Sequence, residues 1–91
     1  MPTVHLIIKG KVQGVFFRAS AREVAEDTGV TGWIKNKESG EVEAVVNGTD
    51  EQVRKFVHWC GQGPTRAVVT EVKETKIADQ QFSTFRVIRG S

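Results

Sequence analysis

Apolar positions recur at every second residue near the start of the chain. Val4, Leu6 and Ile8 alternate with His5, Ile7 and Lys9, a β-strand period that predicts a strand over about residues 3–11. Ile7 on the second face implies that both faces are partly covered. A loop follows from Val12 to Arg18, with Gly14 inside it. Beyond it the period changes: Ala21, Val24, Ala25 and Thr28 fall at helical spacing, and Gly29 is a natural stop. Ser20 and Glu23 have the spacing of a capping box, and a start one or two residues earlier fits equally well. Val30–Asn36 predicts a second strand, Glu38-Ser39-Gly40 a turn with Gly40 at positive φ, and Glu41–Asn47 a third strand with Val42, Ala44 and Val46 on its buried face. Thr49 and Gln52 form another capping box, the threonine worth about 1 kcal/mol as a cap. Val53, Phe56, Val57 and Cys60 give the second helix its apolar stripe, and Gly61 is expected to end it. After a Gly63-Pro64 turn, Ala67–Lys73 predicts a fourth strand. A polar loop through Ala78-Asp79-Gln80-Gln81 leads to a short last strand, Phe85–Ile88.

That order, βαββαβ with an added C-terminal strand, predicts one α+β domain over residues 1–91. The expected architecture is a ferredoxin-like sandwich, a mainly antiparallel sheet with two helices on one face. Right-handed crossovers leave few alternatives. The first and second strands should run parallel, so the loop at 12–18 and Asn36 should share one edge of the sheet.

Composition narrows the function classes. A domain of 91 residues buries only about 60–65% of its unfolded surface, so the core is thin. The single cysteine, Cys60, excludes an internal disulfide and suits a reducing compartment. A net charge of +2, with basic and acidic residues scattered, does not call for nucleic acid. The opening Met1-Pro2-Thr3-Val4-His5 is not a signal peptide, and no stretch approaches the ~20 apolar residues of a membrane helix. The expectation is a complete cytoplasmic chain, monomeric, with no membrane or nucleic-acid partner.

The chemistry concentrates in Gly10-Lys11-Val12-Gln13-Gly14-Val15-Phe16-Phe17-Arg18. Backbone N–H groups at a helix start converge on anions with help from the helix dipole. Gly14 permits a tight curl, and Arg18 adds a planar fork suited to phosphate oxygens. No Gly-Lys-Ser/Thr closes the loop as in a Walker motif. On these residues alone, a phosphate cradle and an ordinary strand–helix turn with a surface arginine fit equally.

The same segment resembles the first signature of the acylphosphatase family, G-x-V-Q-G-V-x-F-R. Gly32-Trp33-Ile34-Lys35-Asn36-Lys37-Glu38-Ser39-Gly40-Glu41-Val42-Glu43 resembles the second: glycine, aromatic, two variable positions, Asn, then Gly-x-Val. The likeness extends over nearly the whole chain. Ile34 stands where the family usually has a smaller apolar residue, and the end reads Arg89-Gly90-Ser91 where many members finish near Arg-Tyr.

The resemblance implies hydrolysis of the carboxyl–phosphate anhydride of a small acyl phosphate to carboxylate and inorganic phosphate. It implies no metal and no cofactor. Arg18 and the amides of Gly14, Val15, Phe16, Phe17 and Arg18 would hold the phosphoryl group, and Asn36 the attacking water. Neither signature contains a histidine or aspartate, which suits a leaving group that needs no proton. Phe16 and Phe17 are expected to pack and shape the loop, one of them in the core, in preference to a substrate role; Trp33 is expected to cover the sheet in preference to lining the acyl side of the cleft, His58 to be exposed, and Cys60 to lie in the core. Gln13 is expected to make a hydrogen bond inside the loop. An RNA-binding module has the same element order, but the third strand, Glu41 to Asn47, has no aromatic for base stacking. The remaining rivals are an idle regulatory module on this fold and a domain cut from a larger acyl- or carbamoyl-transferring enzyme.

Overall fold

A computed structural model describes residues 1–89; Gly90 and Ser91, and any role of the chain's end, lie outside the described residues. The elements are β1 (Thr3–Lys11), α1 (Phe17–Thr28), β2 (Thr31–Asn36), β3 (Val42–Asn47), α2 (Asp50–Gln62), β4 (Val68–Ile77) and β5 (Phe85–Ile88). They build one five-stranded sheet in the order β4-β1-β3-β2-β5. β3 is antiparallel to both β1 and β2. Those two strands therefore run parallel with β3 between them, the split βαβ of the ferredoxin-like fold. β4 pairs antiparallel with β1, and β5 adds in parallel to β2.

The alternation in the sequence becomes the two faces of the sheet. Val4, Leu6, Ile8, Ile34, Val42, Ala44 and Val46 meet Ala21 and Ala25 of α1 and Val53, Phe56 and Cys60 of α2, none more than 4% exposed. Each large side chain buried this way contributes about 1.5–3 kcal/mol. Desolvation pushes the Cys60 thiol well above its ordinary pKa, which leaves it an inert core residue. On the open face His5 Nε2 lies 2.7 Å from Glu43 Oε2, and Lys35 Nζ 3.7 Å from Glu43 Oε1. Burial works against ionisation of Glu43. The His5 hydrogen bond and the charges of His5, Lys35 and Lys37 outweigh it, holding the carboxyl below its usual value.

The second, third and fourth strands each start one residue later than expected, and three other boundaries differ for a structural reason. α1 begins at Phe17, and Ser20 lies inside it, donating its N–H to Phe16 O at 3.0 Å. The Ser20–Glu23 capping box therefore does not form, because burial of Phe17 (2% exposed) draws the first turn onto the core. α2 continues through Gly61 to Gln62 and ends at Gly63, whose φ of 69° suits glycine and whose N–H bonds Trp59 O at 2.8 Å. β4 extends past Lys73 to Ile77 because β1 pairs with it as far as Thr3. The Thr49–Gln52 capping box forms as expected, with bonds of 2.9 and 3.1 Å.

Gly10 aims the chain into the loop. The β1–β4 register slips between Lys9 and Gly10, and Gly10 sits at φ 123°. A Cβ there would come 2.0 Å from Val68 O and 2.9 Å from Thr70 N, both backbone atoms of the neighbouring strand. Gly10→Ala is expected to destabilise the fold by about 3 kcal/mol. The check is urea unfolding: a lower midpoint at unchanged slope, against no shift if the bulge relaxes freely.

Candidate active site

β1 and β2 end on the same edge, which brings the loop after β1 beside Asn36, the last residue of β2. Val12, Val15 and Phe17 anchor the loop in the core at 1%, 3% and 2% exposure. The Phe17 ring packs on Trp59 with centroids 5.2 Å apart. The residue between the last two anchors behaves differently. Phe16 is 74% exposed and takes φ 64° as the N-cap of α1, with no side-chain cap hydrogen bond. Of the two phenylalanines, Phe17 is the one in the core, as expected of one of the pair, while Phe16 does not pack.

The anchored loop leaves its amides open. Among the described residues, no protein acceptor meets the N–H of Gly14, Val15, Phe16, Phe17 or Arg18. The first turn of α1 carries no acidic residue. Arg18 instead places a cation in that turn, the end where the helix dipole disfavours positive charge. Its Nη1 makes one long hydrogen bond, 3.4 Å to Ile88 O. No carboxylate among the described residues lies within ion-pair distance of it. Positive potential is thus gathered at one spot with nothing among those residues to neutralise it, an arrangement that an anion would stabilise.

A cleft of about 430 Å³ opens here, lined by Gln13, Gly14, Phe16, Phe17, Arg18 and Asn36 among others. Val15 is not among the lining residues; its side chain belongs to the core. Among the described residues, none that lines the cleft is an acid, a histidine or a cysteine. Asn36 Oδ1 is buried without a hydrogen-bond partner, the one such side-chain atom among the described residues. Leaving a buried acceptor unpaired costs about 1–3 kcal/mol, and the residue that carries it also lines the cleft.

Gln13 joins the two halves of the site. Its Nε2 donates to Lys37 O at 2.8 Å and to Glu41 O at 2.9 Å. The expected bond inside its own loop is replaced by two bonds to the hairpin turn that follows Asn36. One side chain thereby fixes the loop against that residue.

The strand pairing brings in a residue that sequence reasoning did not assign. β5 lies beside β2, with Ile88 opposite Lys35, so Arg89 just beyond it also lines the cleft. Its signal in the sequence was only its place one residue after a short strand. Trp33 lies elsewhere, with Lys35 Nζ 5.6 Å from its ring and Phe82 and Arg86 beside it around a separate hollow. His58 is exposed on α2, and His5 bonds Glu43 on the open face, both outside the cleft.

A family model described as Acylphosphatase matches residues 4–87. An acylphosphatase of Marinobacter nauticus is 46% identical over 83 residues, covering 90% of each chain. A solved acylphosphatase from Coxiella burnetii matches with a TM-score of 0.92 at 40% identity, over 96% of this chain and 92% of the other. The crystal structure of an acylphosphatase from Bacillus subtilis matches with a TM-score of 0.92 at 28% identity, over 98% of this chain and all of the other.

Proposed function

This chain belongs to the acylphosphatase family of hydrolases, and from that premise we propose that it cleaves acyl phosphates with Arg18, the loop amides and Asn36 as its working groups. The observation that carries this reading is the meeting of three features in one cleft. They are a row of unpaired amides, an arginine with no carboxylate partner among the described residues, and a carboxamide with an unsatisfied acceptor.

The phosphoryl oxygens sit against the amides of Gly14–Arg18, and the Arg18 fork takes two of them. Asn36 holds the water. Rotation about χ2, a soft torsion for a terminal amide, turns Oδ1 toward the cleft to accept one water O–H. The water oxygen attacks phosphorus in line with the anhydride oxygen. The P–O bond to the acyl group breaks, and its electron pair leaves on the carboxylate. The water proton passes to a phosphoryl oxygen, giving inorganic phosphate.

Among the described residues, no side chain in the cleft is a general acid or base near neutral pH. That suits an anhydride, whose carboxylate leaves without protonation, and not a simple alkyl phosphate, whose alkoxide needs a proton. What the site supplies is position and charge, the main terms in phosphoryl transfer. Among the described residues the lining also lacks the carboxylate, imidazole or thiolate donors that hold divalent ions. Benzoyl phosphate is therefore expected to turn over at the same rate with and without EDTA, while an alkyl monoester such as glycerol phosphate is left intact. EDTA inhibition reversed by a divalent ion, or equal turnover of the monoester, would contradict the reading.

A further inference from the structure

Phe16 is the residue of the cleft that neither the fold nor the phosphate chemistry explains. It takes φ 64° and ψ 25°, and among the described residues it is the only non-glycine at positive φ. Glycine or asparagine would hold that left-handed N-cap with less strain. Core packing does not account for an aromatic here, since the ring is 74% exposed while Val15 and Phe17 on either side are at 3% and 2%. Capping does not account for it either, because the side chain makes no cap hydrogen bond. What remains is the surface it presents, an aromatic face on the wall of the cleft, with Ala19 and Val87 also lining it.

The reaction geometry supplies an occupant. The phosphoryl group on the amides places the acyl half on the far side of the bridging oxygen, outward from the loop. A small acyl group such as acetyl offers little surface there. A larger apolar one, aromatic or branched, would remain in water unless something covered it. We propose that Phe16 is the specificity residue of this site, forming the apolar wall that receives the acyl group and favouring acyl phosphates with a large apolar acyl half. The proposal rests on the hydrolytic reading above and goes beyond it in naming the acyl class and the residue that selects it. A ring against an apolar acyl group gains from burial and from offset stacking if the acyl group is aromatic. Because that contact lies outside the reacting bond, it would show in selectivity between substrates and not in turnover of all of them alike.

The test compares kcat/KM for benzoyl phosphate and acetyl phosphate in the wild type, Phe16→Ala, Phe16→Asn and Phe16→Trp. Asparagine suits the left-handed backbone, so it separates loss of the ring from collapse of the loop. The benzoyl-to-acetyl ratio is expected to fall about tenfold in the alanine and asparagine variants, the discrimination that one apolar contact supplies, and to persist with tryptophan. A purely structural role would lower both substrates together and leave the ratio unchanged, which would overturn this proposal alone. Turnover of neither anhydride by folded wild-type protein would overturn the hydrolytic reading, and this proposal with it.

Discussion

Arg18→Ala is expected to lower kcat for benzoyl phosphate by about 10²–10³-fold, the loss seen when one donor to a developing anion is removed. The structure explains why so much would rest on a single side chain. The arginine stands at the positive end of α1, no carboxylate among the described residues is within ion-pair reach, and its one hydrogen bond, to Ile88 O, is 3.4 Å long. A cation in that position does little for the folded state, so its removal should leave the unfolding midpoint nearly unchanged. Competitive inhibition by inorganic phosphate should weaken along with turnover, because product and transition state share the same oxygens. Arg18→Lys should restore only part of the rate, since an ammonium replaces charge without the two-pronged geometry. Lost turnover with undiminished phosphate inhibition would remove Arg18 from the phosphoryl group.

Asn36→Ala is expected to lower kcat by about 10²-fold or more while leaving phosphate inhibition within about threefold of wild type. The split follows from the proposed division of labour. The amides and Arg18 bind the oxygens, and Asn36 touches only the water. A second readout comes from stability. Asn36 Oδ1 is a buried acceptor without a partner, so its removal relieves a penalty of about 1 kcal/mol or more and should leave the fold at least as stable. A parallel fall in turnover and phosphate affinity would place Asn36 on the phosphoryl group instead. A large loss of stability would make it a structural residue.

Much of the fold was readable from residue patterns because the elements concerned are governed locally. The Val4/Leu6/Ile8 and Val42/Ala44/Val46 alternations mark strands whose inward faces are buried as expected. The Thr49–Gln52 capping box stops α2 from reaching further back, whatever packs on it. The errors arose where a distant partner decides. β4 runs on through Glu74-Thr75-Lys76 because β1 offers it a ladder, although those residues show no apolar alternation. α1 starts three residues before Ser20 because Phe17 is needed against Trp59, whose ring also packs on Phe56. One result is that Arg18 sits within a helical turn and not in a free loop.

The candidate site was legible to the same extent. Arg18 and Asn36 are far apart in sequence, and the parallel direction of β1 and β2 was enough to bring them to one edge. The role of Gln13 was not legible, because both of its bonds reach the hairpin after Asn36. Nor was the entry of Arg89 into the cleft, which depends on β5 choosing β2 as its neighbour. Phe16 and Phe17 are identical as letters, and their opposite fates follow from one left-handed residue.

In the proposed mechanism water attacks phosphorus and not the acyl carbon. It is tested most directly by hydrolysing benzoyl phosphate with the enzyme in heavy-oxygen water and weighing both products. The label is expected in inorganic phosphate, with benzoate unlabelled. Label in benzoate would mean attack at the carbonyl carbon, and the roles of Arg18, the loop amides and Asn36 in phosphoryl transfer would be wrong.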